Sequence, residues 1–148
     1  MKGNPLCSFC TDISGGNREI VRNNLAWAFP TNIPIVPGHT LICPIRCASR
    51  FEDLTKEEKE AIFDLTEKVK KSLSKAFHAE GFNYAWNENE AGGQAIPHFH
   101  LHILPRKKGD TGIYEYEPRK FLYRTSEERK LSSEEELAQV AKLIRDNI

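Results

Sequence analysis

From Thr55 to Gly81 the apolar side chains fall at Ile62, Leu65, Val69, Leu73 and then Ala76 and Phe77, three and four residues apart. That spacing stacks them on one face of a helix. Thr55 with Glu58 forms a capping box at its start, and Gly81 fits a C-terminal cap. Elsewhere the pattern is shorter. "EIVRNNLAWAF" (19–29) predicts two short strands around a turn at Asn23-Asn24. "PTNIPIVPGH" (30–39) holds three prolines and a glycine and predicts an ordered loop with few backbone donors. "HTLICPI" (39–45) is apolar and partly β-branched, hence a buried strand, with Cys43 alternating with Leu41 and Ile45 as core. "FNYAWN" (82–87) and "HFHLHIL" (98–104) predict two more strands around the bend "EAGGQ", and a last helix starts at Ser132 or Ser133. Residues 105–131 are charged and tyrosine-bearing and predict no element. Strands, helix, strands, helix describes an α+β domain, an antiparallel sheet with helices packed on one face.

A chain of 148 residues suits one domain, 1–148. Lys+Arg equals Asp+Glu at 21 each, which argues against a protein that coats nucleic acid or membrane but permits a single bound nucleotide. No apolar run approaches bilayer length, and Met1-Lys2-Gly3-Asn4 opens no signal peptide, so the expected location is cytoplasmic. There the cysteines Cys7, Cys10, Cys43 and Cys47 are thiols or metal ligands rather than disulfides.

Three of the five histidines stand at alternate positions: His98, His100 and His102. On a strand such residues face one way, about 6.5–7 Å apart, while Phe99, Leu101 and Ile103 face the core. Neutral imidazoles keep a surface wet poorly, so the row points to chemistry. It fits a metal site, or a nucleophile with its supporting groups, since imidazole attacks phosphorus to give a labile phosphoramidate. The context favours phosphorus. "AGGQ" (91–94) can bring backbone N–H groups close to phosphate, "PGH" places His39 where it can meet the row, and "PRKKGD" (105–110) adds cations. Arg106, Lys107 and Lys108 themselves are expected to be solvated. Phe9, Ile13, Trp27 and Phe29 are candidates for a base pocket; Trp86 should face away from Asn87, and His78 should lie at the surface. Cys7-x-x-Cys10 has the spacing of a metal knuckle.

"HFHLHIL" resembles the His-φ-His-φ-His-φ-φ signature of the histidine triad (HIT) proteins. "CSFC", "NIPIVPGHTLICP", the helix and "NENEAGGQAIPHFHLHILPRKKGD" follow in that family's order and spacing. The resemblance covers about residues 5–110, leaving 111–148 as a C-terminal extension and helix. It implies a homodimer, often through a joined sheet, and a hydrolase or transferase acting on nucleoside phosphate derivatives. His100 is then the nucleophile, with His102 and His39 flanking the phosphate. Asn87, Gly93 and Gln94 then contact phosphate or leaving group. Two positions depart from the pattern. Eight residues before His39 the family has Asp or Asn for the ribose hydroxyls; here Thr31 stands there, with Asn32 beside it. Ala95 replaces a Ser or Thr that donates to phosphate. The resemblance also implies a structural zinc held by Cys7, Cys10, Cys47 and His98, with Cys47 in place of the family's His and His98 structural. "PRKKGD" looks nearer the fragile histidine triad branch, which cleaves dinucleoside polyphosphates, than the Hint branch, which cleaves phosphoramidates. The alternatives are a Hint-like purine nucleoside phosphoramidase, a nucleotide-binding regulatory module with little turnover, or a purely metal-binding scaffold.

Overall fold

The computed structural model describes residues 7–11, 17–110 and 131–148. The alternation of side chains along the strands builds two different faces on one sheet. The strands are β1 (Val21–Arg22), β2 (Ala26–Pro30), β3 (Thr40–Pro44), β4 (Gly81–Ala85) and β5 (Leu101–Arg106). They lie in the order β1-β2-β3-β5-β4, and every neighbouring pair is antiparallel. The β1–β2 turn falls at Asn23, whose side chain accepts from the N–H groups of Leu25 and Ala26.

Helix α1 (Ser8–Thr11) is a single turn, α2 spans Lys56–Phe77 and α3 spans Glu134–Arg145. Ala28, Ile42, Leu101 and Ile103 point from the sheet into one core with Ile62, Leu65, Val69 and Leu73 of α2 and Ala141 and Ile144 of α3. Each Val, Leu or Ile side chain buried there contributes about 1.5–3 kcal/mol. The opposite face carries Trp27 and Phe29 of β2 and Leu41 and Cys43 of β3, under Cys7 and Phe9. No helix among the described residues is long and apolar enough to cross a membrane.

The capping box of α2 is present: Thr55 Oγ1 accepts from Glu58 N, and Glu58 Oε1 accepts from Thr55 N. Ser133 caps α3 in the same way, accepting from Glu136 N. Four expectations need correction. Gly81 does not cap α2; His78 does, in a left-handed conformation at φ 54°, and Gly81 opens β4 instead. Its imidazole is exposed, as expected. Ile45 is not core but 45% exposed, because β3 ends at Pro44 and Ile45 N turns to Leu25 O at the end of the hairpin. Arg106 is not solvated. Its side chain is 15% exposed, forked onto Asp110 and donating to Asn83 Oδ1.

The fourth correction concerns the histidine strand. β5 begins at Leu101, so His98 and His100 precede it. Phe99 N donates to Ala48 O, away from the β3 ladder, and Pro97 has no N–H to extend the pairing. The alternation of faces still holds, with Phe99, Leu101 and Ile103 in the helix-side core. Ile13 and residues 12–16 of the N-terminal loop lie outside the described residues, as do 111–130 of the tyrosine-bearing stretch.

Candidate functional site

The sheet register lines up Phe29 of β2, Leu41 of β3 and His102 of β5, on the face away from α2. His100 lies beside His102, ring centroids 5.0 Å apart. These residues floor a cavity whose rim includes Phe9, Thr31, Asn32, Asn87, Gly93 and Ala95. The carrier loop between β2 and β3 turns on Gly38, which sits at φ +85° with Pro105 and the Phe77 ring 3.0 and 3.1 Å from where a Cβ would stand. Only glycine takes that conformation in that space without strain, and it delivers the next residue, His39, into the interior.

Hydrogen bonds decide which nitrogen of each histidine carries a proton. His100 Nδ1 lies 2.7 Å from His98 O, an acceptor, so Nδ1 is protonated and Nε2 keeps its lone pair. Burial pushes the His100 pKa below the ordinary imidazole value; the bond to the His98 carbonyl opposes this and is outweighed. The ring is therefore neutral near pH 7. Ile35 N donates to His39 Nδ1, so the His39 proton is on Nε2, 2.9 Å from His102 Nδ1. His102 accepts there and carries its own proton on Nε2. The pair thus holds one nitrogen lone pair on His100 beside one N–H on His102.

His98 is used twice. Its carbonyl orients His100, while its ring turns to the N-terminal segment. Nε2 donates to Pro44 O at 2.7 Å, leaving the Nδ1 lone pair 3.4 Å from Cys7 Sγ and 3.5 Å from Cys10 Sγ. Cys47 completes a group whose four donor atoms all lie within 4.8 Å of one another. A tetrahedral ion with sulfur ligands at about 2.3 Å needs donor separations of roughly 3.8 Å, so this set can hold a metal with little movement. Burial pushes the Cys7 thiol up and keeps His98 neutral, the form in which imidazole ligates. Phe9, between the two cysteines on α1, packs edge-on against Phe29 and His100, each 5.2 Å between centroids.

The structure brings His100, His102, Asn87, Gly93, Thr31, Asn32 and Phe9 to one cavity and leaves three candidate residues off its wall. His39 stands behind His102 rather than in the cavity. The Gln94 amide is engaged by Ser49 and by Asn89 N, so it braces the glycine loop against the loop after β3. Asn87 Nδ2 reaches Gly93 O at 3.4 Å. Trp27 backs Phe29 at 4.3 Å instead of lining the cavity. Trp86 stacks on Phe51 across the sheet from Asn87, as its position predicts. Besides apolar side chains such as Ile33, Ile35 and Ile96, the lining holds a charged residue with no sequence signal: Arg18, ahead of β1. Only the pairing of β1 with β2 shows that it reaches this cavity.

Among known families, the HIT domain matches residues 17–109. The bis(5'-nucleosyl)-tetraphosphatase (asymmetrical) of Schizosaccharomyces pombe is 39% identical over 64% of this chain and 52% of its own length. The chain therefore spans little more than half of that relative. The bifunctional bis(5'-adenosyl)-triphosphatase/adenylylsulfatase FHIT of Arabidopsis thaliana is 31% identical over 97% of this chain and 78% of its own length. A Hit-like protein from Bartonella henselae has the same fold, with TM-score 0.73 and 25% identity over 88% of this chain and 86% of that one.

Proposed function

This chain belongs to the HIT domain family, and from that premise we propose that it is a hydrolase or nucleotidyl transferase acting on nucleoside phosphate derivatives through a covalent nucleotidyl-histidine. His100 Nε2 attacks the α-phosphorus. The N–P bond forms as the bond from phosphorus to the leaving group breaks, and the leaving group departs with the electron pair. Water then attacks the same phosphorus, losing a proton as the N–P bond breaks and returning the lone pair to His100. His102 Nε2–H stabilises the charge that builds on the phosphate oxygens. His39 holds His102 in the tautomer that can do so, and the Gly93 segment with Asn87 shapes the other side. The observation that carries this reading is the His100 Nδ1–H bond to the His98 carbonyl, which leaves the attacking nitrogen unprotonated in the cavity.

Dinucleoside polyphosphates are the favoured substrates, supported by the names of the Arabidopsis thaliana relative, which matches 97% of this chain, and the Schizosaccharomyces pombe relative, which matches 64%. Phosphoramidates are the alternative. Thr31 at the ribose position and Ala95 at a phosphate position favour a second reading, a nucleotide-binding module with slow turnover. Zinc is the metal we assign to Cys7, Cys10, Cys47 and His98, because three thiolates and one imidazole clustered this closely suit its preference for four nitrogen and sulfur ligands. When bound it supplies no chemistry to the phosphorus; it fixes α1, the loop after β3 and His98 to one another. The four thiols suit a reducing cytoplasm. A homodimer joined along β4 is expected, as that strand, five residues against two in β1, is the longer of the sheet's two edges.

The test is a substrate panel of adenosine phosphoramidate, diadenosine polyphosphates and ADP, with quenched samples weighed intact. Wild-type protein should gain one nucleotidyl mass, and His100→Asn should gain none and lose turnover while keeping its fold. Full turnover by that variant on any of these substrates would refute the mechanism.

A further inference from the structure

We infer that Arg18 reads the base of the bound nucleotide and favours a 6-oxopurine, guanine or hypoxanthine, over adenine. This rests on the reading above that the triad end of the cavity takes the phosphate. Pairing fixes where Arg18 lies. Val21 stands opposite Ala28, and Ile20 N continues the pairing to Ala28 O. Arg18 therefore lies past β1 on the Thr31 side of β2. His102 is on β5, three strands across the order β1-β2-β3-β5, roughly 14 Å away at backbone level. With the phosphate at His100 and the ribose by Thr31 and Asn32, the part of the ligand that extends to β1 is the base. The walls between are apolar, Phe9, Phe29 and Leu41, as a purine face requires.

The guanidinium is held rather than loose. Its side chain is only 13% exposed, and Glu134, the first residue of α3, takes it side-on. Nε donates to Oε2 at 2.9 Å and Nη2 donates to Oε1. Ser132 N bonds to Asn32 O at 2.8 Å, which docks the start of α3 against the cavity rim. The side-on edge is thus occupied, and Nη1 has no partner among the described residues. The end-on edge, Nη1–H beside the second Nη2–H, presents two parallel donors. Two adjacent acceptors match it, as O6 and N7 of guanine or hypoxanthine do. Adenine offers N7 but sets its 6-amino donor against the second N–H, an unpaired donor in a confined site.

The experiment measures Kd for GMP, IMP and AMP by calorimetry on the full chain. Wild-type protein should bind GMP and IMP alike, and both more tightly than AMP by roughly five- to hundredfold. Arg18→Met should bring the three together, chiefly by weakening GMP and IMP. Glu134→Ala, on the exposed side of the pair, keeps the fold and should lose part of the preference because the fork is no longer aimed. Three results overturn the proposal: AMP bound by wild type as tightly as GMP, IMP behaving as AMP, or a preference unchanged in both variants. Equal weakening of all three ligands by Arg18→Met also overturns it, since the guanidinium would then serve phosphate or ribose. Failure to find a nucleotidyl-histidine would sink the catalytic reading and leave this binding result standing on its own.

Discussion

Replacing Glu58 with Gln tests how the loop carrying Cys47 is anchored. The Glu58 side chain is 4% exposed and the Arg46 side chain 35%. Arg46 Nε and Nη2 reach the two carboxylate oxygens at 3.2 and 2.7 Å, and Thr55 N adds a third bond at 2.9 Å. Breaking a fully buried ion pair costs about 3–5 kcal/mol. Arg46 is a third exposed and keeps its bond to Asp53 O at 2.6 Å, so it recovers some hydration. Glu58→Gln should therefore cost about 2 kcal/mol at pH 7, a fall of about 4–8 °C in Tm for a chain of this size. The pH dependence supplies the control. Burial raises the Glu58 carboxyl, but the bonds from Arg46 and Thr55 outweigh it and hold it below the ordinary carboxylate range. A group lowered on folding stabilises fully above its unfolded value, about 4.3, and stops doing so as pH falls through the folded value. Urea titrations of both proteins should show the full gap at pH 6–7 and a closing gap below about pH 4. A gap under about 0.5 kcal/mol at pH 7, or one that stays constant down to pH 3, refutes the assignment.

Three further outcomes follow from the same geometry. His39→Phe removes the donor that fixes His102, and single-turnover kinetics should slow by about a hundredfold with circular dichroism unchanged; full speed would show that the His102 tautomer is irrelevant. Gly38→Ala forces a Cβ onto Pro105 and Phe77 at φ +85°, so urea titration should show a loss of about 1–3 kcal/mol, and no loss would mean the loop is free to shift. Elemental analysis should find one zinc ion per chain, and chelation should lower both Tm and turnover; a chelated protein that melts and works as before would remove the metal from the account.

Much of this architecture is legible in the residues because periodicity and capping act locally. The helix face from Ile62 to Leu73, the Asn23 turn and the caps at Thr55 and Ser133 each depend on neighbours in the chain. The four positions that could hold a metal came through the family resemblance, which added Cys47 and His98 to the Cys7-x-x-Cys10 spacing. What stayed hidden depends on contacts between distant segments. The bond from Phe99 N to Ala48 O delays β5 past two histidines, and nothing near Phe99 announces Ala48. His39 stands one layer behind the cavity because the register sets it beside His102, not because of its own neighbours. Arg106 reads as a surface cation until Asp110 folds back onto it. Arg18 was invisible for the same reason: its partner Glu134 lies 116 positions away.

That long separation has a consequence for how the molecule is made. Helix α3 closes over Ile20 and Ala28 and ties back to the first strand region through Arg145 Nη1 and Glu19 O, 126 positions apart. Helix α3 leaves the ribosome after β1 to β5, so although α2 can already cover much of this face, the part under Ile20 and Ala28 stays open until α3 is made. Such late closure slows folding and invites clumping of half-made chains. A translation stall before Glu134 would leave a product able to stick to its neighbours but lacking the strut that aims its cavity-rim arginine.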